Sequence, residues 1–387
     1  MYDKVILKRT SRLNAGHLWV FSNEIKTDFR NISPGGLTDI YDVKDNYIGT
    51  GYFNPNSLIS IRLLTKQKEE INKEFFIRKI EAALYYRRHL IPKRDAFRLV
   101  HSEGDFLPGV IADKYGDYLV LQILTLGMEK LKGIVIEAFD EILSPSVIIL
   151  RNDSQSRILE GLSLETHIIK GNLYSPPIIK EGGISFEIDL FTGQKTGFFL
   201  DQWENRLTAC KYINGGQGLD VFCYSGAWGL HLAQKGASVV FVDESEKALL
   251  QARRNAALNG LIENCGFVRE DAFIFLKKML REDKRFDFII LDPPAFAKSK
   301  ANIKDAIRGY RDLNLIAMKL LEKDGILITS SCSYHIDKQT FLDIIKSAAQ
   351  GAGRAARLLE FRSQGADHPI LLSVPETEYL KCAFIAV

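Results

Sequence analysis

From about residue 215 onward, short apolar runs alternate with longer stretches in which apolar residues recur every three or four positions. The runs Leu219–Cys223, Val239–Val242, Gly266–Val268, Phe286–Leu291 and Gly325–Ser330 predict strands. The stretches Gly226–Lys235, Ser245–Asn259, Ala272–Leu280, Ile303–Leu321 and Lys338–Ala349 predict helices, and Arg357–Phe361 and Cys382–Val387 add two late strands. Such alternation implies a parallel, doubly wound sheet, whose ligands bind beyond the carboxyl ends of the strands. The chain before it has a different texture. In residues 1–66, the β-branched or aromatic runs Val5–Leu7, Leu18–Phe21, Thr38–Val43, Tyr47–Tyr52 and Leu58–Leu64 predict a compact barrel or sandwich. After a polar linker, an amphipathic helix places Phe76, Ile80, Ala83 and Leu84 on one face. Phe97–Ser102, Val110–Asp113, Tyr118–Ile123, Val147–Arg151 and Glu165–Lys170, with a helix near Glu129–Ile142, then predict an α+β region.

A length of 387 residues fits two or three domains. With 46% hydrophobic and 26% charged residues, the chain can bury a large core, which excludes wholesale disorder. No apolar run is long enough for a membrane span, and the charged N-terminus is not a secretory signal. Cys210, Cys223, Cys265, Cys332 and Cys382 are odd in number and widely spaced, so neither a disulfide framework nor a metal site is expected and a cytoplasmic setting is. A net charge of +3 neither demands nor excludes nucleic acid, so its distribution has to decide. Lys73–Arg98 carries eight Lys/Arg against three Asp/Glu, including Arg87 and Arg88. The N-terminus adds Lys8, Arg9 and Arg12, and the stretch after the fourth strand adds Lys298, Lys300, Lys304, Arg308 and Arg311. Basic patches in three regions suit an RNA backbone, although such runs are most often solvated faces.

The strand ends hold the cofactor signals. Asp220-Val-Phe-Cys-Tyr-Ser-Gly-Ala-Trp-Gly229 follows the first strand, where Gly226 and Gly229 would let backbone approach a ligand. The dinucleotide pattern GxGxxG is absent, which makes a nicotinamide oxidoreductase improbable. Asp243 ends the second strand, placed to accept from ribose hydroxyls, and Asp271 ends the third, placed for an adenine amino group; each serves equally well as a helix cap. Asp292-Pro293-Pro294 stops the fourth strand sharply. Together these strand ends resemble those of class I S-adenosylmethionine (SAM) dependent methyltransferases.

The resemblance narrows within that class. Asp292–Lys300, Asp220–Gly226 and Gln194–Gln202 look like the corresponding motifs of RlmI-type ribosomal RNA cytosine-C5 methyltransferases. Gly16–Ser22 and Tyr52–Ser57 resemble their RNA-binding PUA domain, and Leu99–Gly109 resembles their middle domain. The resemblance implies a small β-barrel-like PUA domain over 1–68, an α+β middle domain over 69–182 and a Rossmann-like doubly wound α/β methyltransferase domain over 183–387. It implies cytoplasmic action on large-subunit ribosomal RNA. It also implies SAM contacts by Lys195, Thr196, Gly197, Phe198, Phe199, Asp220, Tyr224, Ser225, Gly226, Asp243, Asp271 and Asp292. Trp203, Ser225 and Ala227-Trp228 depart from the pattern, and none of these removes a group with chemistry in it.

The fifth strand runs into Cys332. Cytosine C5 is a poor nucleophile until a group adds at C6, and a thiolate both attacks and leaves well. Cys332 is thus the candidate nucleophile, Asp292 would orient the base, and Glu376 or His335 would take the C5 proton. With Ala295 after Pro294, a second catalytic cysteine is not supported. Phe296 would either stack on a base or pack under the following helix. Other readings are a guanine-N2-type, exocyclic-amine RNA methyltransferase and a non-catalytic assembly factor that binds RNA and SAM. Exposed edges of the N-terminal module could pair two copies into a homodimer.

Overall fold

The computed structural model describes residues 2–28, 32–296 and 302–387. The chain forms two compact units, each made of separate stretches. The first comprises Met1–Pro177, Ile188–Leu200 and Ala366–Thr377; the second comprises Ile178–Glu187, Asp201–Gly365 and Glu378–Val387.

The first unit holds two sheets. Strands β1 (Asp3–Ile6), β2 (Trp19–Phe21), β3 (Leu37–Tyr41), β4 (Tyr47–Phe53) and β5 (Ile59–Thr65) order as β1-β3-β4-β5-β2, with a single helical turn, α1 (Ser11–Asn14), between β1 and β2. The two edges meet: Leu7 bridges Ile25, Lys8 N donates to Glu24 O at 2.7 Å and Lys26 N to Ile6 O at 2.8 Å. The sheet therefore closes on itself as a barrel around Val5, Val20, Ile40, Phe53 and Ile61. These edge groups, through which two copies could have paired, are engaged within the barrel.

Helix α2 (Lys73–Leu90) begins at Asn72, whose side chain accepts from Phe75 N. The second sheet contains β6 (Ala96–His101), β7 (Val110–Tyr115), β8 (Tyr118–Ile123), β9 (Val147–Asn152) and β10 (Glu165–Lys170), in the order β10-β9-β8-β7-β6. Only β8 and β9 run parallel among these strands, and α3 (Leu126–Leu143) supplies the crossover that a parallel pair requires. The turn α4 (Ser156–Leu159) precedes β10. Arg87, expected on an RNA-facing surface, is fully buried here. Its guanidinium pairs with Asp105 and donates to Arg98 O and Asp367 O, both at 2.8 Å, so its charge is neutralised inside the fold. Arg88, Lys8, Arg9 and Arg12 are exposed.

The second unit opens with a hairpin, β11 (Ile178–Glu181) and β12 (Ile184–Glu187). Its turn, Gly182-Gly183, has φ of +54° and +93°, a conformation that favours glycine at both positions. The expected boundary between residues 182 and 183 falls on this turn. Helix α5 (Trp203–Tyr212) follows, then β13 (Gln217–Val221), α6 (Ala227–Ala233), β14 (Ser238–Asp243), α7 (Glu246–Leu258), β15 (Cys265–Arg269), α8 (Ala272–Arg281), β16 (Phe286–Leu291), α9 (Ile303–Leu320), β17 (Leu321–Ser331), α10 (Lys338–Ala352), β18 (Arg357–Arg362) and β19 (Lys381–Ala386). The sheet order is β15-β14-β13-β16-β17-β19-β18. The first five strands are parallel, and β19 runs antiparallel to both its neighbours. Their near-continuous apolar runs reflect burial on both faces. The order reverses between β13 and β16, which sets the binding crevice at their carboxyl ends.

Candidate functional site

The turn after β13 is unusual. Phe222, Tyr224 and Gly226 have φ of +64°, +48° and +79°, and the two non-glycine residues each store about 1–3 kcal/mol of backbone strain. Neighbouring strands hold the turn in place. Phe222 N donates to Val242 O at 2.9 Å, and Tyr224 N donates to the Asp243 carboxylate at 3.1 Å. Gly229 serves a different purpose from the one expected. A Cβ there would lie 2.4 Å from the Phe241 ring, so the glycine lets α6 pack on the sheet.

The turn leaves buried polar atoms unmatched. Asp220 is fully buried; one carboxylate oxygen accepts from Gly229 N at 2.8 Å, and Oδ1 has no hydrogen-bond partner among the described residues. The buried Ser225 hydroxyl has none either. Buried polar groups are normally satisfied, so two unmatched acceptors within six residues single this turn out as a candidate ligand site. Burial, reinforced by Asp292 and Asp243, pushes the Asp220 carboxyl up to about 7. Three carboxylates converging on one turn favour a ligand that carries positive charge and hydrogen-bond donors.

This shift has a measurable consequence. The folded carboxyl titrates above its ordinary value of 3.8, so the folded unit holds the extra proton between the two values and loses stability as pH rises through that window. Asp220→Asn keeps an acceptor for Gly229 N and removes the titration. Urea unfolding should show the variant about 2 kcal/mol or more stabler than the parent at pH 8, with the gain vanishing below pH 4. A gain that persists at low pH would trace the effect to something other than this carboxyl.

Asp243 accepts from Ser245 N at 2.9 Å as well as from Tyr224, so it shapes the turn while keeping further lone pairs for a ligand. Asp271 caps α8 through Ile274 N at 2.9 Å. Asp292 is held by two groups that the motif reading did not single out. Gln202 Nε2 lies 3.1 Å from both its oxygens, and Trp228 Nε1 donates to it at 3.0 Å. Trp228, taken as a neutral departure, thus adds a donor to this carboxylate. Gln202 also reaches Ser330 Oγ at 3.2 Å, two residues before Cys332, and so ties the ends of β16 and β17 together.

Cys332 is half-buried directly after β17. Tyr310 OH and Ser333 Oγ, 3.0 Å apart, anchor the following residue. The other cysteines are less suited to attack. Burial pushes Cys265 up to about 11 and Cys382 up to about 12, and raises Cys210 and Cys223 as well. His335 lies three residues beyond Cys332 against Tyr334. Phe296 packs against Tyr310, with ring centroids 4.6 Å apart, which favours its packing role.

The remaining expected residues fall elsewhere. Lys298 and Lys300 lie outside the described residues. Lys195–Phe199 belong to the first unit. There Thr196 is buried, with its hydroxyl at 2.5 Å from Asp113 and 2.9 Å from Tyr115 OH, and Phe198 is buried too. These two side chains are engaged in that unit's interior. Lys195 Nζ sits over the Phe199 ring at 4.7 Å, and Gly197 has φ of +128°. Glu376, also in the first unit, lies 3.3 Å from His17 Nε2.

Comparison with known proteins agrees with this architecture. Residues 5–66 match a PUA-like domain model, and residues 202–356 match a model described as conserved hypothetical protein 95. A candidate SAM-dependent methyltransferase from Streptococcus mutans has the same fold, with a TM-score of 0.85 at 21% identity and 100% of both chains covered. A solved candidate methyltransferase complexed with SAH gives the same TM-score at 22% identity and the same coverage. The ribosomal RNA large subunit methyltransferase I of Photobacterium profundum is 40% identical over 383 residues, 96% of each chain. That of Aeromonas hydrophila is 40% identical over 386 residues, 98% of this chain and 96% of its own. The chain belongs to the ribosomal RNA large subunit methyltransferase I family.

Proposed function

We propose that this protein is a SAM-dependent methyltransferase that forms 5-methylcytosine in large-subunit ribosomal RNA through a covalent Cys332–C6 adduct. The observation that carries the reading is the pairing of two strand ends. A carboxylate-rich turn with unmatched buried acceptors lies after β13, and a half-buried thiol follows β17. SAM carries a sulfonium, an ammonium and ribose hydroxyls, which fit the Asp220, Ser225 and Asp243 groups in charge and in hydrogen-bond sense. When bound it would supply an electrophilic methyl group.

The chain's own residues do the rest. The Cys332 thiolate forms a bond to C6, and the C5=C6 electron pair moves to C5, which takes the methyl group. Loss of the C5 proton to a base restores the double bond and expels the thiolate. Asp292, fixed by Gln202 and Trp228, already accepts at both oxygens as an ionised carboxylate does, and so orients the base by accepting from its exocyclic amino group. Of the two candidate bases, His335 shares the unit of Cys332, whereas Glu376 lies in the first unit. The target base must be unpaired or flipped to reach the thiol. Lys8, Arg9, Arg12 and Arg88 are exposed to meet an RNA backbone. Among the described residues no helix is long and apolar enough to cross a membrane.

Labelled SAM with unmodified large-subunit RNA, followed by nucleoside mass spectrometry, tests the reading. Label in 5-methylcytidine is expected. Label in an N-methylated purine would replace it with the exocyclic-amine reading.

A further inference from the structure

Lys381 opens β19 and pairs in register with Ser331, the last residue of β17. Its side chain is only 5% exposed. Buried ammonium groups are rare and normally sit in an ion pair. Here the hydrogen bonds of the ammonium are to backbone oxygens rather than to a carboxylate. Its Nζ instead donates to two carbonyls, Ser333 O and Tyr379 O, each at 2.8 Å. The third N–H has no hydrogen-bond acceptor among the described residues. Ser333 directly follows Cys332, so the two carbonyls fix the ammonium beside the thiol's own stretch of backbone.

We propose that Lys381 is the positioning residue that stabilises the Cys332 thiolate, holding a positive charge that only backbone carbonyls bond, beside the sulfur that carries negative charge in the attack. The inference rests on the reading of Cys332 as nucleophile. Two features of the site support it. Burial lowers the Lys381 ammonium to about 8, and Cys332 is the foremost of the groups that offset this, ahead of Glu378 and Asp337. Asp337 is held as the cap of α10 by Thr340 N at 2.7 Å, and Tyr310 faces Cys332 from α9. The thiol is therefore the acidic group best placed to complete this cation. The arrangement works in both directions: thiolate formation satisfies the ammonium, and the ammonium favours the thiolate. It also suits the end of the reaction, since a stabilised thiolate is the better leaving group when the adduct collapses.

The test reads the thiol directly. Intact protein is treated with iodoacetamide across pH 6–10, and modification of Cys332 is followed by peptide mass spectrometry in wild type, Lys381→Met and Lys381→Arg. Lys381→Met should slow alkylation of Cys332 at pH 7 about tenfold and move the midpoint of the profile up by about one pH unit. Lys381→Arg, which keeps the charge, should recover most of the rate. The methyl-transfer profile should move to higher pH in parallel, with KM for SAM unchanged. A Lys381→Met profile that overlays wild type in a folded protein would overturn the role. Should Lys381→Met not fold, the wild-type profile decides. Loss of the ammonium above about pH 8 must slow the rise in alkylation below that of a single titration, and a simple one-group curve would overturn the role. The alkylation readout does not depend on methyl transfer. Methylation that survives Cys332→Ala overturns the nucleophile reading, whereas an unshifted Lys381→Met profile overturns the role of Lys381 alone.

Discussion

Cys332→Ala is expected to abolish methyl transfer, by on the order of 10⁴-fold or more, while leaving SAM affinity unchanged. The size follows from chemistry. Without addition at C6, C5 stays part of an aromatic ring and has no electron pair to offer. No neighbouring thiol can substitute, because burial raises Cys210, Cys223, Cys265 and Cys382 and places each in another element or turn. The unchanged affinity follows from topology. The groups that fit the cofactor cluster after β13 and β14, and β16 separates β13 from β17 in the sheet. Label incorporation and calorimetric titration of SAM check the two halves separately. Retained activity would discard the adduct and favour amine methylation. Activity lost together with SAM affinity would point to collapse of the strand end instead.

The second large effect concerns stability. Glu181 is fully buried at the end of β11 and accepts from Arg206 Nε at 2.5 Å, Arg206 Nη2 at 2.6 Å and His231 Nε2 at 2.9 Å. Arg206 and His231 are each only 1% exposed. Glu181→Ala leaves a guanidinium buried without its counter-ion and should cost about 3–5 kcal/mol in urea unfolding. Glu181→Gln keeps one acceptor and should cost less. The pH dependence has a definite sign. Burial opposes ionisation of Glu181, but Arg206 and His231 outweigh it and hold the carboxyl below its ordinary range. Its contribution is therefore complete above the ordinary carboxyl value and is lost as pH falls through the lowered one. A Glu181→Ala protein as stable as the parent at neutral pH would mean that the pair only balances its own desolvation.

The parallel strands were legible because strands buried on both faces must be apolar throughout. Val239–Val242 and Phe286–Leu291 matched the observed β14 and β16 to within a residue at most ends. Helix α5 was not legible for the converse reason. Its buried positions include Asn205, Arg206 and Thr208, so the apolar repeat that marks a helix is missing. The β11–β12 hairpin did leave a signal in the Gly182-Gly183 pair followed by the alternating run Ile184-Ser-Phe-Glu187. In the candidate site, Cys332, Asp243 and Asp292 drew notice because ligands of doubly wound folds bind at strand ends, and the structure puts Asp243 at the end of a parallel strand and Asp292 and Cys332 just after the ends of two others. Arg87 and Lys381 were misjudged or missed for one shared reason. The groups that neutralise or need a charge come from distant parts of the chain, as Asp105 and Asp367 do for Arg87. A local count of charges cannot register them.

The interleaving of the two units bears on how such a protein can change by descent. The chain passes between units at residues 178, 188, 201, 366 and 378. No single recombination joint in the gene can then exchange either unit whole. A joint at residue 182 would divide one hairpin between two parents. A transferred segment encoding only residues 202–356 would bring β13–β17 and Cys332 but neither that hairpin nor the antiparallel pair that carries Lys381. Cys332 and Lys381 are inherited together only when the transferred segment runs on past β19.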